Sequence, residues 1–227
     1  MSYIFKNPGI VAGLLLQHLQ MVSLALLVAV LIALPLSLLI TRYRWLGVPV
    51  MGVLGTLYTV PSLALIILLV PFFGLNASSV IVAMVLYTQV ILVRNFVVGL
   101  QSIPPAVLEA ARGMGMDWWQ RWCQVQIPLA LPIFLAGLRL AAIVAIAIAT
   151  IGAKFGAGGL GVLLFDGIAQ VGRYDKIWAG SLTVAALALV INGVLLTLER
   201  ISSPATRIRR STPRQPNLSE PSLNLEP

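Results

Sequence analysis

Charged residues are scarce in this chain: Asp, Glu, Lys and Arg make up 10% of its 227 residues, and only seven of them are acidic. A soluble domain usually carries about a quarter. With 59% hydrophobic residues and a mean hydropathy of +0.98, the apolar excess is more than one globular core can hide, so lipid must solvate much of it. The single cysteine, Cys123, excludes an internal disulfide and has no His or Cys neighbours at metal-ligand spacing. The single histidine, His18, stands at the start of an apolar run and reads as an interfacial residue rather than a ligand. The apolar runs hold no acid–base or nucleophile pair, which argues against an enzyme, and nothing in the chain calls for a metal or cofactor.

The net charge of +8 raises the question of nucleic acid. The basic residues lie between apolar runs and in the tail, without interleaved aromatic side chains, so no nucleic-acid partner is expected. Cationic loops on the cytoplasmic side of a membrane protein produce the same sum.

Charges punctuate the apolar runs and make the spans readable. Residues 19–41 are uncharged and end at Arg42 and Arg44. These 23 residues are long enough for a hydrocarbon core of about 30 Å and longer than a cleaved leader's apolar segment. No charge occurs between Arg44 and Arg94, a stretch too long for one span. Pro71, Gly74, Asn76, Ser78 and Ser79 mark a turn inside it, which gives helices near 49–71 and 79–101. Pro61 removes a backbone donor from the first of these and is expected to kink it. Further spans are expected near 128–151 and 177–198. The first of this pair has a face of small residues that allows close helix approach. The expected architecture is an all-α membrane protein of five spans over residues 19–200, with an extracytoplasmic segment 1–18 and a disordered cytoplasmic tail 201–227.

With the amino terminus outside, the inner side receives Arg42, Arg44, Arg112, Arg121, Arg200, Arg207, Arg209, Arg210 and Arg214. The outer side receives Lys6, Lys154, Arg173 and Lys176. This asymmetry follows the positive-inside rule and makes 102–127 a cytoplasmic loop. Within it, Pro104 and Pro105 open a helix, Gly113 or Gly115 closes it, and Asp117 with Gln120 has capping-box spacing for the next. Trp118, Trp119 and Trp122 suit the headgroup level.

Glu109, Ala110 and Ala111 are followed after three residues by Gly115, and after nine more by Val125, Gln126, Ile127 and Pro128. This register resembles the EAA loop of ABC importer permeases, with Val125 and Ile127 standing where Ile and Leu are usual. The resemblance implies a type I importer fold whose cytoplasmic coupling helix docks in a groove on a separate ATPase subunit. It also implies a second permease copy or paralogue, and an extracytoplasmic substrate-binding protein as receptor. ATP is then bound by the partner and not by this chain. The segments 59–76, 109–121 and 156–161 further resemble permeases for glycine betaine, carnitine and choline. A methionine or other amino-acid permease is the nearest alternative. A stand-alone channel or secondary transporter is disfavoured by the lack of a second repeat and of a buried acid for ion coupling.

Gly156, Gly158 and Gly161 match a G-x-G-x-x-G pattern, but no strand precedes them and no P-loop lysine follows. With Gly159 they read instead as an outer loop gating the bundle. Polar groups inside spans face other helices or a pathway, which makes Tyr58, Thr59, Ser62, Tyr87, Gln89, Arg94, Asn95 and Arg139 the pathway candidates. Tyr58 and Tyr87 could offer π faces to a quaternary ammonium. Arg94 lies near enough to the inner end of its span to snorkel. Arg139, about 16 Å along its helix from Pro128, is too deep for that. A structural hydrogen bond and a functional role both remain open for it.

Overall fold

A computed structural model of the protein describes residues 2–170 and 172–203; the tail expected over 201–227 lies, beyond Ser203, outside the described residues. No strand occurs among the described residues. The helices are α1 (Ser2–Lys6), α2 (Pro8–Arg42), α3 (Gly47–Thr59), α4 (Ser62–Phe73), α5 (Ala77–Gln101), α6 (Pro105–Gly113), α7 (Trp118–Arg121), α8 (Ile127–Gly152), α9 (Gly161–Ala169) and α10 (Tyr174–Ser202). Four stretches are long and apolar enough to cross a membrane by themselves: α2, α5, α10, and the continuous helix Trp118–Phe155 that contains α8. The pair α3 and α4 passes the same test only when taken together, as a broken span or a re-entrant loop, which makes up to five.

That break revises the single helix expected near 49–71. The two segments are bent by 96°. Proline disfavours the helical region in the residue before it, and Val60 is accordingly extended (φ −66°, ψ 128°). Pro61 (φ −56°, ψ 135°) then serves as the N-cap of α4. Proline alone does not decide the matter, because Pro35, Pro71 and Pro132 all lie inside helices.

The first helix also differs from its expected bounds. It begins at Pro8 rather than near residue 19 and runs for 35 residues, about 52 Å by helical rise. That length exceeds a hydrocarbon core of about 30 Å, so one end projects beyond it.

Helix α5 is the axis of the bundle. It packs most extensively on α8 and α2, and 56% of its apolar stretch is buried, against 6% for α10. Small side chains make this packing close: Ala25, Ala29 and Ala33 of α2 and Ala141, Ala142, Ala145 and Ala149 of α8 are all buried. A Cβ built at Gly137 of α8 would lie 2.5 Å from the Asn95 Cβ of α5, so the two backbones meet at a distance only glycine permits. Some buried polar groups are satisfied locally or across helices, although both ring nitrogens of His18 and Oε1 of Gln89 have no hydrogen-bond partner among the described residues. Ser37 donates to the Ala33 carbonyl at 2.6 Å, and Gln89 Nε2 donates to the Ala29 carbonyl at 3.1 Å. Helix α10 lies on the outside, against α8 and α9.

Candidate functional site

The loop between α5 and α8 folds as two short helices. Pro105 occupies the first turn of α6, where its missing N–H costs nothing. At the other end Gly115, not Gly113, takes the left-handed conformation (φ +78°). Gly115 N–H donates to the Arg112 carbonyl (2.9 Å) and Met116 N–H to the Ala111 carbonyl (3.2 Å). These are the two bonds of a Schellman closure. A Cβ at Gly115 would meet no atom within 4 Å, so the demand for glycine there is conformational and not steric.

Helix α6 is amphipathic. Ala111 is buried at 2% exposure, whereas Glu109 and Ala110 are exposed. The outer face of α6 is therefore a short helix carrying a carboxylate beside a small side chain, with no ion pair to Glu109 among the described residues.

Two hydrogen bonds of a capping box start α7: Gln120 N–H to Asp117 Oδ1 at 2.7 Å, and Asp117 N–H to Gln120 Oε1 at 3.0 Å. Arg121 ties the corner by donating to the Met116 carbonyl at 3.2 Å. Of the three tryptophans, Trp122 is buried and stacks on Trp118 (6.5 Å, 3°), while Trp118 and Trp119 stay 62% exposed. The chain then passes through a π-helical turn, Trp122–Gln126, into α8. The structure thus divides the motif. Glu109, Ala110 and Gly115 lie exposed on the hook, with Ala111 buried beneath them, while Val125, Ile127 and Pro128 form the joint that roots it in a span.

The span residues separate into distinct groups. Tyr58, Thr59 and Ser62 flank the Val60–Pro61 break, and Tyr87 of α5 joins them, its ring 5.5 Å from that of Tyr58. Tyr58 is 43% exposed and Tyr87 is 8% exposed, so this pair presents one open face. Gln89 is turned inward to α2, and Asn95 donates to the Ile91 carbonyl of its own helix at 2.8 Å. Arg94 is exposed on the opposite half of α5, the half nearer α6.

Arg139 is occupied elsewhere. Its Nε donates to Glu199 Oε2 of α10 at 3.2 Å, and its Nη1 reaches Asn192 Oδ1 at 3.5 Å. Glu199 lies in the last turn of α10, so the pair sits near the end of that helix rather than mid-span. The sequence reading missed Glu199 because it falls one residue outside the apolar run and 60 positions from Arg139.

At the other end, Gly156, Gly158 and Gly159 all have φ +77°, and Gly161 opens α9. Gln17 of α2 accepts the Gly159 N–H at 3.2 Å, clamping the loop to the bundle. His18 is fully buried there, beneath Gly159 and beside the backbone of Ile146, and not at an interface. Among the described residues no cluster of His, Cys, Asp or Glu could hold a metal.

Comparison with known proteins adds a family and a fold. Residues 25–208 match the family model described as the binding-protein-dependent transport system inner membrane component. The chain is 40% identical over 207 residues to the osmoprotectant import permease protein OsmW of Salmonella typhimurium, covering 89% of this chain and 96% of that one. It is 37% identical to the carnitine transport permease protein OpuCB of Listeria monocytogenes, over 86% of this chain and 89% of the relative. Identity is also 37% to the glycine betaine/carnitine/choline transport system permease protein OpuCD of Bacillus subtilis, with 89% of each chain covered. In structure it superimposes on a chain of the inward-facing MetNI methionine ABC transporter with a TM-score of 0.76 and 20% identity, over 87% of this chain and 98% of that one.

Proposed function

The chain belongs to the binding-protein-dependent transport system inner membrane component family, and from that premise we propose that it translocates quaternary ammonium osmoprotectants, driven by ATP that a partner subunit hydrolyses. The observation that carries the coupling half of this reading is the exposed hook. Helix α6 is closed at Gly115, rooted through a π-helical joint in α8, and holds outward a carboxylate with no ion pair among the described residues. A short helix of that kind suits docking into a groove of a cytoplasmic ATPase, with Ala110 allowing close approach. Closure of two ATPases would move α6, and the continuous helix Trp118–Phe155 would carry that motion into the bundle.

The pathway is assigned to the broken span. Unpaired backbone within the membrane is tolerated where it lines a wet cavity or is covered by protein. The extended Val60–Pro61 segment lies midway along 47–73, next to the open face of Tyr58. A second permease, identical or paralogous, would cover this face, and the route would run between the two. Tyr58 and Tyr87 would meet a quaternary ammonium through their π faces. The relatives named for osmoprotectant, carnitine, glycine betaine and choline transport support the substrate class. The methionine transporter supports only the fold, at 20% identity. A receptor outside the membrane supplies selectivity, and the inner side is that of α6, by the excess of Arg there.

The test is uptake of labelled betaine, choline and methionine by cells carrying the complete system, at low and high external osmolarity. Betaine or choline uptake that depends on this chain supports the assignment. Methionine uptake alone overturns the substrate and leaves the permease role intact.

A further inference from the structure

The inner halves of α2, α3 and α5 enclose, with α6, an open cavity of about 890 Å³ that the transport route above does not use. Arg44 and Arg94 both line it, with Thr41 and Gln101. Neither guanidinium has an ion pair or a hydrogen bond among the described residues, and no carboxylate lines the cavity. The rest of the wall is apolar, including Met51, Val97 and Val98. Arg94 lies seven residues before the end of α5, about 10 Å in by helical rise. This is headgroup or upper acyl depth if α6 faces the cytoplasm.

Arg44 and Arg94 are both exposed at the cavity, where two guanidinium groups beside an apolar wall at that depth attract an anion. Water reaches an open cavity, but water does not neutralise two positive charges. Guanidinium groups bind phosphate oxygens through paired N–H donors, and the apolar wall below suits acyl chains. We propose that this cavity holds the headgroup of an anionic phospholipid of the cytoplasmic leaflet, its phosphate bound between Arg44 and Arg94. Net negative headgroups are favoured over zwitterionic ones because two cations face one phosphate. Pro105 and Leu108 of α6 form part of the wall, so the lipid sits directly behind the helix that carries Glu109. The proposal rests on the inside orientation assigned above, but not on the identity of the transported substrate.

The experiment uses the full-length chain, purified with its co-expressed ATPase and reconstituted in nanodiscs of equal dioleoyl phosphatidylglycerol and dioleoyl phosphatidylcholine. Lipids retained after transfer to detergent are counted by native mass spectrometry. The wild type should retain phosphatidylglycerol over phosphatidylcholine by roughly five- to tenfold. The double variant Arg44→Ala/Arg94→Ala should lose that preference, while Arg42→Ala/Arg112→Ala, which removes equal charge outside the cavity, should keep it. Val98→Glu supplies the two arginines with a carboxylate and should also abolish it. Equal retention of both lipids by the wild type would overturn the proposal. So would a preference unchanged in both cavity variants, or one erased by millimolar inorganic phosphate, which would mark a site for the free ion. Normal osmolyte uptake beside a failed lipid test would sink this inference alone.

Discussion

Arg139 of α8 donates to Glu199 of α10 at 3.2 Å, a bond that pins the most peripheral long helix to the bundle. Both side chains are about one-quarter exposed (24% and 26%), so the pair is neither a screened surface bridge nor a fully desolvated one. Removing either partner leaves the other charge stranded beside apolar helices. Arg139→Ala and Glu199→Ala are each expected to cost about 1–3 kcal/mol. The double variant should cost less than the sum, as measured by thermal unfolding in detergent and a double-mutant cycle. Strict additivity would mean that the two side chains do not interact.

Gly137 and Asn95 set a second expectation. A side chain at 137 must push α8 from α5, because its Cβ would meet the Asn95 Cβ at 2.5 Å. Gly137→Ala should destabilise by about 1–3 kcal/mol. Adding Asn95→Gly moves the small residue to the facing helix and should recover part of the loss, less about 0.3 kcal/mol for glycine in place of asparagine in a helix. Melting temperatures of the three variants decide this, and no recovery in the exchange variant contradicts close contact at that point.

Gly115 should respond to conformation and not to size. Space around it is open, yet φ is +78°. Gly115→Val places a β-branched residue in the left-handed region at a cost of about 1–2 kcal/mol or more, while Gly115→Asn should be tolerated far better. The effect should appear as lost ATPase co-purification with an unchanged melting temperature of the bundle. Equal losses for Asn and Val would show that crowding is the cause.

At the broken span, Tyr58→Leu should raise KM for the transported ammonium about 2- to 30-fold, the range of one cation–π contact, and Tyr58→Phe should stay near wild type. Transport kinetics in the complete system decide it. Leu and Phe behaving alike would remove the π face from the pathway.

The elements that could be read from the sequence are those with local causes. The hook was legible because Pro105, Asp117 and Gln120 act within one turn, and the alternatives of Gly113 and Gly115 were resolved by backbone geometry alone. The bend at Pro61 was legible, but its extent, a 96° break into two separate helices, was not, because Pro35, Pro71 and Pro132 have the same local chemistry inside intact helices. What distinguishes them is how the surrounding helices pack, which periodicity does not carry. Arg139 illustrates the same limit: its depth was reckoned from Pro128, but its partner sits on another helix 60 residues away. His18, read as interfacial, is buried because a distant glycine loop folds over it.

The hook's encounter with an ATPase is the centre of the account. Ala110→Cys should form a disulfide cross-link with a cysteine placed in the groove of the co-expressed ATPase, under mild oxidation of membranes. Glu109→Lys should weaken that cross-link and abolish uptake while the chain remains inserted. A cross-link from Ala110 to the ATPase, lost together with transport in Glu109→Lys, is the predicted result. Full transport and undiminished ATPase association in Glu109→Lys, with no cross-link from position 110, would contradict it.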